Sequence, residues 1–343
     1  MSQLGVAIVG YGLAGNVFHA PMIAAEPRMR VAAVVTSSAE RAERASREYP
    51  RARVLSTVDE LFTDPSGIDL VVIATPNRSH APLAMRAIAA GLPVVVDKPF
   101  TVTVGEAEQV IAAADQAGIP LSVFQNRRWD SDFRTVASLI VDGRLGQVRR
   151  FESRLERWRP TLKGGWRELG DHADGAGYLY DLGSHLVDQA LTLFGPVTDI
   201  YCELDRRRVG VRADDDAFLA LTHASGVRSH LWMNAVAAQH GPRFRVLGSE
   251  NAYVVYGADP QEAQLRAGRS PDQEPHWGAV DPEHWGLLGA EPDARRVPSL
   301  PGDYRCYYRA MADALLDGAP VPVDARDALE TMKILERSRL VGV

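Results

Sequence analysis

The sequence predicts an α/β protein in which a parallel sheet of strand–helix units is followed by a mainly antiparallel sheet. Short apolar segments alternate with helical segments through residues 1–125, which is typical of βαβ units. Residues 126–343 instead alternate charged with apolar or aromatic residues, the period of half-exposed strands. A length of 343 residues fits two domains, and we place the boundary between residues 125 and 126.

The first domain is predicted from nine segments in which strands and helices take turns. The apolar strands are LGVAIVGYG, RVAAVVT, DLVVIATP, PVVVDKP and PLSVFQN. The helical segments are VFHAPMIAAEP, AERAERASREY, HAPLAMRAIAAG and GEAEQVIAAADQAG. Gly91 and Gly118 close two of these helices, where a left-handed C-cap favours glycine.

The second domain is predicted from a helix, TVASLIVDG, followed by strands with short turns. The strand segments are QVRRFESRLERWR, VTDIYCELDRR, DDAFLALTHA, VRSHLWMNAV, RFRVLGS and NAYVVYG. Such a sheet leaves one broad face free, and a free face of this size often covers a partner subunit, so we expect a homodimer or homotetramer. Residues 257–303 predict a long irregular excursion anchored by Trp277 and Trp285. Two helices close the chain, and packing of these helices back on the first domain is one arrangement that we consider.

Charge and cysteine content exclude several classes of function. The net charge of 38 − 44 = −6, with no basic block, argues against a nucleic-acid surface, and the Arg206–Arg208 run is interpreted as a solvated strand end. Cys202 and Cys306 are too few for a disulfide framework or a zinc site, so we expect no metal and a cytoplasmic protein. No secretory leader pattern or membrane-spanning apolar run is evident, and we expect no membrane partner.

A glycine-rich turn, Gly10-Tyr11-Gly12-Leu13-Ala14-Gly15, separates the first strand from the first helix. Gly10 permits the tight turn, Gly12 lets the backbone approach a pyrophosphate, and Gly15 allows the helix to pack closely on the strand. The helix N-terminus then favours the negative charge. A turn without a ligand is the alternative, but the strand–turn–helix–strand context predicts a dinucleotide site that includes Gly10, Tyr11, Gly12, Leu13 and Ala14.

The segment after the second strand bears on the choice between NAD and NADP. NAD-preferring sites place Asp or Glu there to bind the ribose 2′-hydroxyl. This chain has Thr36, Ser37 and Ser38 instead, with Arg41 at the start of the next helix. Hydroxyls can donate to a 2′-phosphate that a carboxylate would repel, so the segment favours NADP over NAD. Ser38 also fits a helix N-cap, and both interpretations can hold.

Two more strand ends carry polar residues. Topology places the loop with Ala74, Thr75, Pro76 and Asn77 beside the dinucleotide, and His80 either contacts the cofactor or only begins a helix. In VVVDKPF, Asp97 and Lys98 end a strand that is predicted to be buried on both faces. Lys98 lies either in a solvated surface turn or beside a ligand, because open α/β sheets bind ligands outside the carboxyl ends of their strands.

A helix in the second domain carries an acid and a base. Within GAGYLYDLGSHLVDQALTLFG, Asp181 and His185 are four residues apart and therefore share one face of an α-helix. Asp188 lies on the next turn and could orient the histidine. A structural Asp–His pair is the alternative to catalysis, and no third ligand at a readable spacing favours a metal site.

These motifs together resemble the Gfo/Idh/MocA oxidoreductases. The resemblance covers residues 4–340 and rests on GYGLAG, DKP, NRRWD and YDLGSH, and the chain is most similar to the branch that contains NADP-dependent scyllo-inositol dehydrogenases. It implies a Rossmann domain followed by an α/β domain whose large, open, mainly antiparallel sheet forms the oligomer interface. It also implies that Lys98 lies near the nicotinamide and the reacting hydroxyl, and that Asp181 and His185 match the family's Asp and His.

The chain departs from the family's pattern at two positions. Asp97 replaces the usual Glu before Lys98, so the carboxylate has a shorter reach. Ser37-Ser38 stands where this branch carries Ser-Arg, so NADP binding then depends on Arg41.

The resemblance implies hydride transfer between a nicotinamide cofactor and a secondary alcohol of a sugar, cyclitol or polyol. His185 can accept the proton, Asp181 can orient it, and Lys98 can donate a hydrogen bond to the developing alkoxide, although Lys98 and His185 could exchange roles. Arg127, Trp129 and Trp166 are candidates for the substrate side, with packing as the alternative for each tryptophan; Tyr304 and Tyr307 are weaker candidates. Asp97, Lys98 and Arg127 are also expected to contact the cofactor. The alternatives are a reductase of aldoses, keto-sugars or dicarbonyls, and a non-enzymatic dinucleotide-binding regulator.

Overall fold

The structure is a computed structural model that describes residues 3–342. The chain divides into two compact units. The first unit contains the residues up to Asn126, together with Glu262–Pro275 and Tyr304–Leu329. The second unit contains Arg127–Gln261, His276–Asp303 and the residues from Glu330 onward. Among residues 3–342, no helix has the length and apolar character that crossing a membrane requires.

The first unit is built on a six-stranded parallel sheet. Its elements are β1 (Leu4–Val9), α1 (Ala20–Ala24), β2 (Met29–Val35), α2 (Ala39–Glu48), β3 (Arg53–Leu55), α3 (Val58–Thr63), β4 (Leu70–Ile73), α4 (His80–Ala89), β5 (Val94–Asp97), α5 (Val104–Ala117) and β6 (Leu121–Phe124). The strand order is β3-β2-β1-β4-β5-β6, so the order reverses between β1 and β4. This is the Rossmann arrangement, in which ligands bind at the reversal point.

Local sequence explains most of these boundaries. The valines of β5 are fully buried, as expected for a strand covered on both faces. Thr103 and Glu106 form a capping box at the start of α5, and Gly118 ends that helix with a φ of +65°. The strand β3 and the helix α3 were not predicted, because β3 has only three half-buried residues and shows no periodicity. The first predicted helix begins as a π-helical turn, Ala14–His19.

The second unit is built on an eight-stranded sheet. Its elements, in chain order, are α6 (Ser131–Val141), β7 (Arg150–Glu156), α7 (Trp166–Leu169), α8 (Ser184–Phe194), β8 (Val197–Asp205), β9 (Asp216–His223), β10 (Arg228–Asn234), β11 (Phe244–Leu247) and β12 (Ala252–Val255). After α9 (Gln261–Arg266), which lies almost entirely in the first unit, β13 (Leu287–Gly289) and β14 (Arg295–Arg296) extend the sheet. The helices α10 (Arg305–Asp317) and α11 (Ala325–Val341) follow.

The strand order of this sheet is β14-β13-β12-β11-β7-β10-β9-β8. Every neighbouring pair is antiparallel except β7 and β10, which confirms the predicted mainly antiparallel sheet. Buried and half-exposed residues alternate along β9 and β10, so one sheet face packs on the core and the other is open. Trp277 is buried, and its indole nitrogen donates to Gln261, 3.0 Å away, which anchors the predicted excursion.

The interpretation of the Arg206–Arg208 run as a solvated strand end is wrong for Arg208. Its side chain is 2% exposed and bonds to Asp215 at 2.8 Å and Glu168 at 2.7 Å. Glu168 in turn accepts hydrogen bonds from the backbone N–H groups of Lys163 and Gly164. Burial alone would raise the pKa of Glu168, but the Arg208 guanidinium and these N–H groups hold that pKa below its usual value. Arg208 therefore anchors the irregular segment around α7.

We expect Arg208→Ala to destabilise the protein by about 3–5 kcal/mol, because it leaves two buried carboxylates without their cation. Arg206→Ala, at an exposed position in the same run, is the matched control and should change stability by less than about 0.5 kcal/mol. Urea unfolding monitored by tryptophan fluorescence measures both variants. Equal, small losses would show that the buried ion pairs contribute little.

Candidate active site

The glycine-rich turn lies at the reversal point of the parallel sheet. Gly10 has a φ of +96°, and a Cβ there would lie 2.5 Å from the carbonyl oxygen of Ala74 at the end of β4. A Cβ on Gly15 would overlap the carbonyl group of Gly10. At Gly12, by contrast, a Cβ would meet only a guanidinium nitrogen of Arg41, at 3.7 Å. Backbone packing therefore requires the outer two glycines, while the middle one leaves room for a pyrophosphate, which fits a dinucleotide.

Tyr11 does not project from this turn. Its ring is 1% exposed, and its hydroxyl donates to Glu48 at the end of α2, at 2.7 Å. Asn16 donates to the same carboxylate oxygen at 2.9 Å. Burial, and then the bond to Glu48, raise the pKa of Tyr11, so the phenol stays protonated. Any contact between Tyr11 and the cofactor is therefore expected from its backbone. Leu13 is 45% exposed and Ala14 is half-buried, and their contacts with the cofactor remain predictions.

The residues after β2 form a polar cluster next to the turn. Ser38 caps α2, and its hydroxyl accepts a hydrogen bond from the Arg41 N–H at 3.4 Å, so the N-cap alternative is realised. Thr36 accepts from the Ser38 N–H at 3.4 Å, and Ser37 is exposed. The Arg41 guanidinium lies near Gly12 in the glycine-rich turn. Contacts of Thr36, Ser37, Ser38 and Arg41 with the cofactor remain predictions.

The buried side chain of His80 holds the loop after β4 in place. This ring is 1% exposed, with Nδ1 2.9 Å from the carbonyl oxygen of Pro99 and Nε2 2.9 Å from that of Thr75. His80 therefore joins the ends of β4 and β5. Its contact with a cofactor remains a prediction, as do those of Ala74, Thr75, Pro76 and Asn77, of which Asn77 is buried.

Lys98 directly follows β5, and Asp97, the last residue of that strand, lies near a buried histidine. The Asp97 side chain folds back so that its Oδ1 accepts the Lys98 N–H at 2.8 Å. The same oxygen lies 3.9 Å from Nε2 of His19, which is fully buried. Burial lowers the pKa of His19 to about 4, although the Asp97 charge acts in the opposite direction. Sequence reasoning missed His19, because its position in an apolar helical segment indicates core packing.

In the second unit, Asp181 lies in a π-helical turn, Leu179–Gly183, and His185 lies in the first turn of α8. A π-turn winds more residues into one turn, so the four-residue spacing does not place the two side chains on one line as in an α-helix. Asp181 accepts a hydrogen bond from Nε of Arg167 at 3.2 Å, and His185 is 4% exposed. The catalytic role of both residues remains a prediction.

Asp214, which sequence reasoning missed, holds the start of this π-turn. Its carboxylate accepts the Leu179 N–H at 2.7 Å, and its carbonyl accepts the Tyr178 N–H at 2.9 Å. A Cβ on Gly177 would overlap this carboxylate. Burial raises the pKa of Asp214, with Arg339 and His172 opposing the rise.

Asp188 is held by Arg128. The Arg128 Nε–Asp188 Oδ2 distance is 2.8 Å and the Nη2–Oδ1 distance is 2.7 Å, a bidentate pair. Orientation of His185 by Asp188 therefore remains a prediction. Gln189 on the same helix donates to the Arg127 carbonyl at 2.9 Å, and the Arg127 guanidinium bonds to Asp130 at 3.0 Å.

The predicted substrate aromatics differ in their surroundings. Trp129 is half-buried, and its carbonyl accepts hydrogen bonds from Gln261 and the Asp303 N–H. Trp166 is half-buried at the start of α7, with the Arg167 guanidinium 4.7 Å from its ring centre. Tyr304 and Tyr307, the weaker candidates, are both fully buried, and the Tyr307 hydroxyl bonds to Ser122. Their contact with the substrate remains a prediction.

Within residues 3–342, no cluster of three or more His, Cys, Asp or Glu side chains could hold a metal ion.

Comparison with known proteins gives matches along nearly the whole chain. Residues 4–125 match the model of an oxidoreductase family with an NAD-binding Rossmann fold, and residues 133–254 match the GFO/IDH/MocA C-terminal domain. The chain is 37% identical to scyllo-inositol 2-dehydrogenase (NADP⁺) IolW of Bacillus subtilis, covering 98% of this chain and 93% of IolW. It is 43% identical to the oxidoreductase YdgJ of Escherichia coli, over 97% of this chain and 95% of YdgJ.

A solved oxidoreductase structure from Yersinia pestis, YPO2259, superposes with a TM-score of 0.90 at 40% identity, covering 99% of this chain and 95% of that one. These matches confirm the resemblance and the fold class. They also disfavour the non-enzymatic alternative, because the relatives are named as dehydrogenases or oxidoreductases. The chain therefore belongs to the Gfo/Idh/MocA family of oxidoreductases and is an NAD(P)-dependent dehydrogenase.

Proposed function

We propose that this enzyme transfers a hydride between NADP and a secondary alcohol of a cyclitol, with scyllo-inositol as the first candidate. The observation that carries the proposal is the 37% identity to an NADP-dependent scyllo-inositol 2-dehydrogenase over 98% of the chain. A dehydrogenase for D-apiose, 30% identical over 82% of this chain, supports the wider class of sugars and polyols. Reduction of keto-sugars is the same chemistry in the opposite direction. We assign dinucleotide binding to residues 1–125, and substrate binding and assembly to residues 126–343.

The residues that would hold the cofactor fit a dinucleotide. The open backbone at Gly12 suits the pyrophosphate, and the hydroxyls of Ser37 and Ser38 with the Arg41 guanidinium suit a 2′-phosphate. Arg41 thereby takes the place of the arginine that the branch carries after its serine. When bound, the nicotinamide accepts or donates the hydride.

The protein's own groups manage the proton. His185 accepts the hydroxyl proton, and Asp181 stabilises the charged imidazole or orients the neutral one. Lys98 donates a hydrogen bond to the oxygen as negative charge develops on it. Arg127, Trp129 and Trp166 contribute hydrogen bonds and flat apolar surfaces for the ring of the substrate. The half-buried state of both tryptophans is compatible with this role.

We expect turnover when the enzyme is mixed with NADP⁺ and scyllo- or myo-inositol, followed by absorbance of the reduced nicotinamide across a panel of inositols, aldoses and polyols. Lys98→Met should lower kcat by at least about a hundredfold while changing the Kd for NADPH by less than about threefold, because the lysine acts on the substrate oxygen. Lys333→Met, at a residue paired with Glu330, is the control and should keep full activity. Retained turnover in Lys98→Met would show that the assignment is wrong.

We expect Arg41→Ala to weaken NADPH binding by about tenfold and NADH binding by less than about twofold, because only NADPH carries the 2′-phosphate. Arg47→Ala is the matched control on α2, since Arg47 is 68% exposed and pairs with Glu43. Fluorescence titration of both reduced cofactors measures the four constants. Equal losses for the two cofactors, or a wild-type preference for NADH, would contradict the interpretation of Ser37, Ser38 and Arg41.

We also propose that the open face of the eight-stranded sheet joins two copies of this chain. Phe218 and Trp232 lie 5.0 Å apart on this face, the Arg154 guanidinium lies 3.8 Å over the Trp232 ring, and Tyr201 is 51% exposed. A cluster of aromatic rings with an arginine is typical of an interface core. We also propose the cytoplasm as the compartment, because two cysteines so far apart in the sequence do not indicate a disulfide framework.

We expect a dimer or tetramer by size-exclusion chromatography with light scattering. Trp232→Asp should shift the mass toward the monomer, because it buries a charge in the interface. Val141→Asp, at an 84%-exposed apolar position that ends α6, serves as the control and should leave the mass unchanged. A monomeric wild-type protein at all concentrations would exclude this interface.

A further inference from the structure

The last helix of the chain contacts the segment that carries Asp181. Arg339 lies near the end of α11, and its two terminal guanidinium nitrogens donate to the carbonyls of His172 at 2.9 Å and Ala176 at 3.1 Å. The carbon at the centre of this guanidinium lies 3.5 Å from the ring centre of Tyr180. The proposed mechanism assigns no role to Arg339, although it reaches this segment from the other end of the second unit's sequence.

The contacts of Arg339 lie on both sides of the backbone bond that Asp181 makes. Tyr180 directly precedes Asp181 within the π-turn Leu179–Gly183. Ala176 directly precedes Gly177, whose carbonyl accepts the Asp181 N–H at 3.0 Å. Arg339 therefore contacts the residue before Asp181 and the residue before its backbone acceptor. Movement of either residue would move the backbone from which the Asp181 side chain projects.

This arrangement suits a planar cation. A guanidinium presents its donors in one rigid plane, whereas an ammonium is a point charge on a flexible chain. The two carbonyls bind the edge of the Arg339 guanidinium, and the Tyr180 ring lies over its face. Tyr180 is 1% exposed, and attraction between a cation and a ring is stronger where water is excluded. The contacts therefore fix the guanidinium in both position and orientation.

Asp214 supports the start of the same turn. It accepts the Leu179 N–H with its carboxylate and the Tyr178 N–H with its carbonyl. Burial raises the pKa of Asp214, and the Arg339 charge opposes that rise. Burial also lowers the pKa of Arg339, with Tyr180 and Asp214 acting in the opposite direction, and an arginine stays charged in proteins. Two opposite charges thus act on residues 176–180.

The side-chain pair between Arg167 and Asp181 does not by itself fix the turn. The Arg167 side chain is 47% exposed, and its Nε lies 3.2 Å from Oδ1 of Asp181. Ion pairs in contact with solvent contribute little, because water and salt screen them. The Arg339 contacts with two backbone carbonyls and a buried ring are screened less. They act on the backbone of the segment and not only on the end of one side chain.

We propose that Arg339 is a positioning residue which, together with Asp214, holds the backbone of the π-turn so that Asp181 keeps its direction relative to His185. This role rests on the proposed function, in which Asp181 orients or stabilises His185. It also makes activity depend on the C-terminal end of α11, which is far from Asp181 in the sequence.

The variant Arg339→Lys separates the geometry of the cation from its charge. It keeps a positive charge on α11 but cannot donate to both carbonyls from one plane. Arg337→Lys, at an exposed position of the same helix, is the matched control. Urea unfolding gives the stability of each variant. Asp181→Asn and the double variant Arg339→Lys/Asp181→Asn complete a double-mutant cycle.

We expect Arg339→Lys to lower kcat by about tenfold and to change the KM for NADP⁺ by less than about twofold, because cofactor binding is assigned to the other domain. Arg337→Lys should keep full activity. In the Asp181→Asn background, Arg339→Lys should change kcat by less than about twofold, because the carboxylate that it positions is already absent. A general loss of stability would instead lower kcat by the same factor in both backgrounds.

Amide hydrogen exchange followed by mass spectrometry gives a second readout that needs no substrate. Peptides covering residues 177–183 report on the π-turn, and peptides from β10 are the internal reference. We expect Arg339→Lys to speed exchange in the π-turn by about tenfold and to leave β10 unchanged. Asp214→Asn keeps an oxygen that can accept the Leu179 N–H, so it should speed exchange less than Asp214→Ala does.

Unchanged exchange in the π-turn of Arg339→Lys, or a uniform increase across the second unit, would overturn the positioning role. Equal losses of kcat in the two backgrounds would also overturn it. Failure of the proposed function has a different signature. If wild type turns over no member of the substrate panel while exchange rises only in the π-turn, the hold of Arg339 on the turn is supported and the substrate class is wrong.

Discussion

The cofactor half of this enzyme depends on how closely two backbones approach at the point where the order of the parallel strands reverses. Just after β1, the backbone at Gly10 packs closely against the carbonyl group of Ala74, which follows β4. At the start of the first helix, the backbone at Gly15 packs equally closely against the carbonyl group of Gly10. Neither approach leaves room for a side chain. Because β1, β4 and β5 are parallel neighbours, their carboxyl ends lie at one edge of the sheet, which is where sheets of this kind bind ligands.

The second unit uses buried charged groups to join segments that are distant in the sequence, both irregular and regular ones. Arg208 binds two carboxylates beneath the segment around α7, and Arg243 bonds to Asp132 at 3.1 Å, Ser153 at 2.6 Å and Gln189 at 3.0 Å. Groups of this kind add little net stability compared with an apolar core, but their directionality defines one geometry. At Arg208 this directionality fixes the irregular segment around α7, and at Arg243 it fixes how α6, β7 and α8 are arranged.

Sequence patterns were sufficient for the features that repeat. Alternation predicted β9 and β10, the valine run predicted β5, and the glycine-rich turn was correctly placed between a strand and a helix. Patterns failed where the structure depends on partners distant in the chain. Arg208 was predicted to be solvated because it belongs to a run of three arginines, whereas in the structure it is buried against Glu168, 40 residues away. His19 looked like a core residue because the pattern shows its apolar neighbours and not Tyr308, 289 residues away.

The sequence patterns also could not predict the type of helix, because they were compared with an α-helical spacing, which does not describe a π-turn. Both motifs on which the family resemblance depends most, the glycine-rich turn and the YDLGSH segment, run into such turns. The distinction has no effect on which residues are present, but it changes the direction in which they point.

The two π-turns carry a consequence for how this sequence can vary. A π-turn corresponds to one residue inserted into an α-helix. Deleting one residue from Leu179–Gly183 would allow an ordinary helix to form, and every preceding side chain would then rotate by about 100° relative to α8. Asp181 and His185 would no longer keep their relative directions, even though the hydrophobic face of α8 would be preserved. The length of this π-turn is therefore more constrained than its hydrophobic pattern. A deletion there could leave the fold intact and still change the relative directions of the proposed catalytic side chains.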